Sequence, residues 1–181
     1  VVGDVIDKTL PRTADAVVVF DEDHRSLHEV HGISANRIHV IAPGLLGEEL
    51  SGSCPQTTKK ILAEIGDGPW LLYAGNPDAY QNLPLLWESF QKVRVKRPDL
   101  KLLVASNCDT SAFEDELEAA SSRDGVYLYR YNSILELCSL FSIAQLGVCP
   151  RNLWTGAPIK LLNYISVGLP VVACKAAGRH I

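Results

Sequence analysis

Short runs of β-branched and aliphatic residues alternate along the chain with longer stretches whose apolar positions recur at helical spacing. Val17-Val18-Val19-Phe20 predicts a strand. Asp21 to His31 predicts a helix stopped at Gly32. Arg37 to Ile41 predicts a second strand, closed by Pro43-Gly44. Residues 45–56 are rich in Gly, Ser and Glu, contain Cys54-Pro55, and read as a linker. Thr57 to Ile65 predicts a short helix, and Trp70 to Ala74 an apolar strand. Leu83, Leu86, Trp87, Phe90 and Val93 then fall at helical spacing. Asn82 is placed to cap that helix, which runs to Arg97 before Pro98. The rest alternates: strand 101–105, helix 112–122, strand 126–129, helix 134–144, strand 145–149, helix 158–167, strand 170–174. These strands are apolar on both faces, which predicts an α/β fold with a parallel sheet covered by helices on each side.

Composition narrows the class. Of 181 residues, 47% are hydrophobic and 21% charged, so a sizeable core is available and disorder is not expected. The net charge is -4, which argues against nucleic acid as a partner. The longest basic cluster, Lys92, Arg94, Lys96 and Arg97, reads as the solvated end of a helix. No apolar run reaches the length of a membrane span. The chain begins at Val1 and holds no Met, so it is expected to be a segment of a longer protein.

Five Cys at wide spacing form no close pair. Cys138, Cys149 and Cys174 sit in apolar runs and read as small buried hydrophobes, which fits a reduced, cytoplasmic setting. No zinc site is expected. His24, His28 and His31 could line one helix face, and a solvated face is the preferred reading over a metal site. A GxGxxG fingerprint is absent, which weakens a dehydrogenase reading.

In open parallel sheets, ligands bind where the strands end, so the loops after Gly75, Ala105, Tyr129 and Cys149 are the places to look. The first, Gly75-Asn76-Pro77-Asp78-Ala79-Tyr80-Gln81-Asn82, delivers a strand to a helix N-terminus, where free N–H groups favour anions. The second, Pro150 to Pro158, leads through Arg151, Thr155 and Gly156 into a helix carrying Lys160, Leu161 and Asn163. Thr155 and the N–H groups near Gly156 are expected to face the crevice. A lysine in a first helical turn opposes the dipole, and Lys160 makes sense there if it meets a phosphate or a ribose hydroxyl.

These two loops, in this order, resemble the C-terminal lobe of the retaining GT-B-fold glycosyltransferases (group 1, glycosyltransferase family 4-like). Residues 14–19 and 36–44 resemble the closing segment of that family's N-terminal lobe. Leu72-Tyr73-Ala74-Gly75 with Tyr80-Gln81-Asn82-Leu83 resembles the opening of the C-terminal lobe. Pro158-Ile159-Lys160-Leu161-Leu162-Asn163-Tyr164 with Gly168-Leu169-Pro170-Val171-Val172-Ala173 resembles the donor-site helix and strand.

The resemblance implies a Rossmann-like donor lobe over residues 51–181, truncated at its end, with a short α/β remnant of the acceptor lobe over residues 1–50. It implies sugar transfer from a UDP-, GDP- or ADP-sugar with retention of configuration. No cofactor or metal is expected. Gly75, Asn76, Gln81, Arg151, Thr155, Gly156, Lys160, Leu161 and Asn163 would hold the donor. Arg130, Tyr131 and Asn132 would lie near the base. A glycan or lipid-linked acceptor would come through the other lobe, with peripheral contact at the inner membrane face. The segment alone is expected to bind donor without turnover.

The family usually places an Arg just after the first-loop Gly, a Lys five residues later, and two Glu around the last helix. This chain has Asn76, Gln81, Thr155 and Asn163 there. A catalytically lapsed binding module is therefore one alternative, and a sugar-nucleotide epimerase of the same shape another.

Overall fold

A computed structural model describes residues 2–44, 52–119, 123–153, 156 and 158–178. The chain divides into two compact units. The first, residues 2–44, contains helix α1 (Val2–Thr13), strand β1 (Val17–Val19), helix α2 (Glu22–Val30) and strand β2 (Ile38–Val40). β1 and β2 pair in parallel, with Val17 opposite Ile38 and Val19 opposite Val40. The Asp21 carboxylate caps α2 by accepting the His24 N–H at 2.9 Å. Val19, Ile33 and Ile38 form a small core. Helix α1 was not anticipated, because Gly3 and Pro11 interrupt its pattern.

The second unit holds helix α3 (Pro55–Ile65), strand β3 (Trp70–Ala74), helix α4 (Leu83–Arg94), strand β4 (Lys101–Ser106) and helix α5 (Ser111–Ala119). Strand β5 (Val126–Arg130), helix α6 (Ile134–Ile143), strand β6 (Ala144–Cys149), helix α7 (Ile159–Ser166) and strand β7 (Val171–Ala173) complete it. Every pairing in its sheet is parallel, and the strand order is β5-β4-β3-β6-β7.

Side chains alternate across that sheet as the pleat requires. Trp70, Leu72, Leu103 and Ala105 face a core closed by Ile61, Leu140, Phe141 and Tyr164, from α3, α6 and α7. Tyr73, Leu102 and Val104 face a second core with Trp87 and Phe90 of α4 and Phe113 and Leu117 of α5. Helices thus cover both faces, and the Rossmann-like parallel α/β fold expected from the sequence is the one observed.

Local differences have physical causes. α3 starts at Pro55, two residues before the expected Thr57, because proline suits the first helical position. The linker reading therefore fails at 55–56, while residues 45–51 lie outside the described residues. α4 ends at Arg94 and not at Arg97. Arg94 is not solvated. It is 15% exposed, with its guanidinium 2.7 Å from Asp124, 3.1 Å from the Leu100 carbonyl and stacked over Phe90. Asn82 does not cap α4 through its side chain. It takes a left-handed conformation (φ 57°), and its amide donates to the Pro150 carbonyl at 3.3 Å.

Candidate functional site

The strand order creates a crevice. The chain runs β3, β4, β5 to one side, then returns to lay β6 against the other side of β3. Ligand sites of open α/β sheets form at such reversals, beyond the carboxyl ends of the strands. The β3–β6 pairing stops at Leu72 opposite Gly147, and Val148 and Cys149 then pair only with β7.

The parted strands are bridged by Tyr164 of α7. Its hydroxyl accepts the Ala74 N–H at 2.7 Å and donates to the Leu72 carbonyl at 3.3 Å. A Cβ at Gly147 would lie 2.7 Å from the Tyr164 ring, so glycine there makes room for the tyrosine. Burial pushes the Tyr164 phenol well above its ordinary pKa.

One turn before Tyr164, on the same side of α7, stands Lys160. Its ammonium donates to Gln81 Oε1 at 2.7 Å and lies 4.0 Å from the centre of the Tyr73 ring. A Cβ at Gly75 would lie 2.6 Å from Lys160 Nζ. Any larger residue there would push the lysine's flexible end aside. Burial pulls the Lys160 pKa down to about 8. The neighbouring Arg151 adds to the fall, and Cys149 and Asp78 oppose it.

Two further links tie the 75–82 loop to the segment after β6: Asn82 to the Pro150 carbonyl, and the Arg151 guanidinium 5.6 Å from the Tyr80 ring. Arg151 is 5% exposed, and its Nε donates to the Leu153 carbonyl at 3.1 Å. The two helix starts, after Gly75 and before Lys160, therefore do converge.

The structure thus brings Gly75, Gln81, Arg151 and Lys160 together. The Gly75 N–H is not offered to a ligand, because it donates to the Ala105 carbonyl. Asn76 lies beside Gly75, with Oδ1 3.4 Å from both Ser106 Oγ and Cys108 Sγ and its backbone carbonyl accepting from the Tyr73 hydroxyl at 2.7 Å. Leu161 turns its side chain into the core, and its N–H donates to the Pro158 carbonyl. Asn163 is half-buried on α7. Gly156 is buried, has φ 97°, and groups with the first unit. Thr155 lies outside the described residues.

Arg130, Tyr131 and Asn132 follow β5. Arg130 is exposed, while Tyr131 packs against the core and its N–H donates to the Ser106 carbonyl at 2.9 Å. The Asn132 N–H donates to Glu136 at 2.7 Å.

Sequence reasoning overlooked Tyr73, Ser106 and the hydroxyl of Tyr164. A phenol or hydroxyl inside an otherwise apolar run is the signal available, since a buried O–H needs a partner. Of the cysteines, Cys138 and Cys149 are buried as expected. Cys174 is only partly so, and its Sγ donates to the Pro150 carbonyl at 3.3 Å. All five are free thiols. Among the described residues no three His, Cys, Asp or Glu side chains are grouped to share a metal ion, and no helix is long and apolar enough to cross a membrane.

A doubly wound parallel sheet, with a lysine reaching over the crevice at its topological switch point, defines a Rossmann-like α/β lobe with a ligand crevice. Residues 68–181 match the family model described as "Glycosyl transferases group 1", and the chain belongs to that family. No curated protein sequence matches significantly.

Among solved structures, the chain is similar to Anabaena HepE in complex with UDP-glucose. The TM-score is 0.77 at 13% identity, over 97% of this chain and 49% of that one. It is also similar to the sucrose-phosphate synthase of Thermosynechococcus elongatus (TM-score 0.73, 18% identity, 97% and 44% covered). WaaG, a glycosyltransferase involved in lipopolysaccharide biosynthesis, is a third relative in fold (TM-score 0.68, 19% identity, 91% and 46% covered). The chain spans about half the length of these relatives.

Proposed function

We propose that this chain is the donor-binding half of a glycosyltransferase that moves a hexosyl group from a nucleoside diphosphate sugar to a glycan, lipid or small-molecule acceptor, with retention of configuration. One observation carries the reading: Lys160 crosses the switch-point crevice to Gln81, over a backbone that Gly75 leaves open. A half-buried ammonium at that point is suited to a diphosphate, on which negative charge grows as the glycosidic bond to the sugar breaks. A preorganised cation there lowers the barrier. Arg151 adds positive potential, Asn163 is assigned to the ribose, and Arg130, Tyr131 and Asn132 to the base. No metal or cofactor is assigned. The acceptor belongs to the other lobe, together with any peripheral contact at the inner face of the membrane. HepE, solved with UDP-glucose, supports a sugar nucleotide as the ligand.

Thermal unfolding with UDP-, GDP- and ADP-sugars tests this. A ligand that binds only the folded state raises the melting temperature by mass action. At least one of the three is expected to do so, and Lys160→Ala to weaken its binding by about tenfold or more. Silence with all three would favour a lapsed module of the same fold.

A further inference from the structure

Two side chains of the 75–82 loop are amides, and Lys160 fixes the sense of one of them. Gln81 is 6% exposed, and its Oε1 accepts from the Lys160 ammonium at 2.7 Å. An ammonium can only donate, so the amide oxygen must face it, and Nε2 is turned the other way. The one side-chain hydrogen bond of Gln81 among the described residues is the one through Oε1. That leaves a donor on a side chain more than nine-tenths buried, at the mouth of the crevice.

Asn76 is held in the same sense. Its Oδ1 lies 3.4 Å from the hydroxyl of Ser106, which is fully buried, and 3.4 Å from the thiol of Cys108. With Oδ1 accepting from both, Nδ2 lies on the far side of the amide. Ser106 is itself fixed, since its Oγ accepts the Cys108 N–H at 3.1 Å. Ser106 is thus a positioning residue for Asn76. The only formal charge on the 75–82 loop is the carboxylate of Asp78.

We propose that Gln81 and Asn76 are specificity-determining residues: two oriented, uncharged amide donors that make the loop side of the diphosphate subsite prefer the diphosphate diester of a sugar nucleotide over the free nucleoside diphosphate. This rests on the donor-site reading above. The free nucleoside diphosphate carries up to one negative charge more than its sugar conjugate. Attraction to a cation grows with that charge, whereas an amide donor gains much less from it. Lys160 and Arg151 reach the site from the other side; the 75–82 loop itself brings no cation and Asp78 repels, so the loop side adds no attraction for the extra charge.

Calorimetric titration of the whole 181-residue chain with UDP, GDP and ADP, and with their sugar conjugates, tests this. The wild type is expected to bind the best sugar conjugate at least as tightly as the matching nucleoside diphosphate. Gln81→Lys is expected to tighten the free diphosphate about tenfold more than the conjugate. Asn76→Arg, at an exposed position, is expected to shift the ratio the same way and serves if circular dichroism shows Gln81→Lys unfolded. An unchanged ratio in a folded variant, with Lys160→Ala still weakening both ligands, overturns the selectivity and leaves the donor site standing. Failure of every nucleotide to bind the wild type overturns both.

Discussion

Lys160 is where residue-scale physics is sharpest. Its ammonium sits in a first helical turn, against the dipole, and burial brings its pKa to about 8 from an ordinary lysine's 10.5. The charged form is therefore the costlier one in the folded protein. That cost is fully present below about pH 8. It is relieved as pH rises towards 10.5, because there the unfolded chain still holds the proton that the folded chain has shed. Wild-type stability is expected to gain about 2–3 kcal/mol across that window relative to Lys160→Met, measured by urea unfolding of both proteins at pH 7 and pH 10. Equal pH dependence in the two proteins would contradict the burial. Nucleotide affinity is expected to carry the opposite sign, since the ammonium proposed to meet the diphosphate is lost above about pH 8. Gly75→Ala belongs to the same scale. Its Cβ would displace Lys160 Nζ, so nucleotide binding is expected to weaken about tenfold while the fold persists, as read by titration alongside circular dichroism.

At the scale of elements, the crevice depends on α7 repairing the gap that opens between β3 and β6. Tyr164→Phe strips the partner from the Ala74 N–H inside a buried strand and is expected to cost about 1–3 kcal/mol in urea unfolding. Gly147→Ala pushes on the same ring and is expected to cost a similar amount. A loss below about 0.5 kcal/mol for Tyr164→Phe would mean the bridge is not structural.

The strands and helices of this unit were legible because parallel strands buried on both faces read as unbroken apolar runs, and β3 matched its expected bounds. Lys160 was legible because a cation is out of place where it stands. The rest was hidden for stated reasons. A buried tyrosine in an apolar run looks like plain core, and its hydroxyl partners are set by tertiary contacts with strands far away in sequence. Asn82 looked like a cap, but its left-handed backbone turns the amide to Pro150. Arg94 looked solvated until Gly125, where a Cβ would lie 1.6 Å from the guanidinium, showed it pressed between two connections.

For the molecule as a whole, the sheet fixes which thiols can be reached. Cys138 and Cys149 lie under helices and strands, while Cys108 is exposed beside the crevice. A thiol reagent is expected to label Cys108 in the folded protein and to reach Cys138 and Cys149 only in denaturant. Bound sugar nucleotide should slow the Cys108 reaction, because Cys108 touches Asn76. Family membership rests on residues 68–181, and the chain spans about half the length of its structural relatives. Donor recognition is therefore the part of the proposed reaction that these residues can be asked to perform.

A crystal structure of the chain with the sugar nucleotide that most raises its melting temperature is the most direct measurement. The diphosphate is expected within hydrogen-bonding distance of Lys160 Nζ, over Gly75 and between the two helix starts. A diphosphate bound elsewhere, with the crevice beside Lys160 empty, would contradict the account.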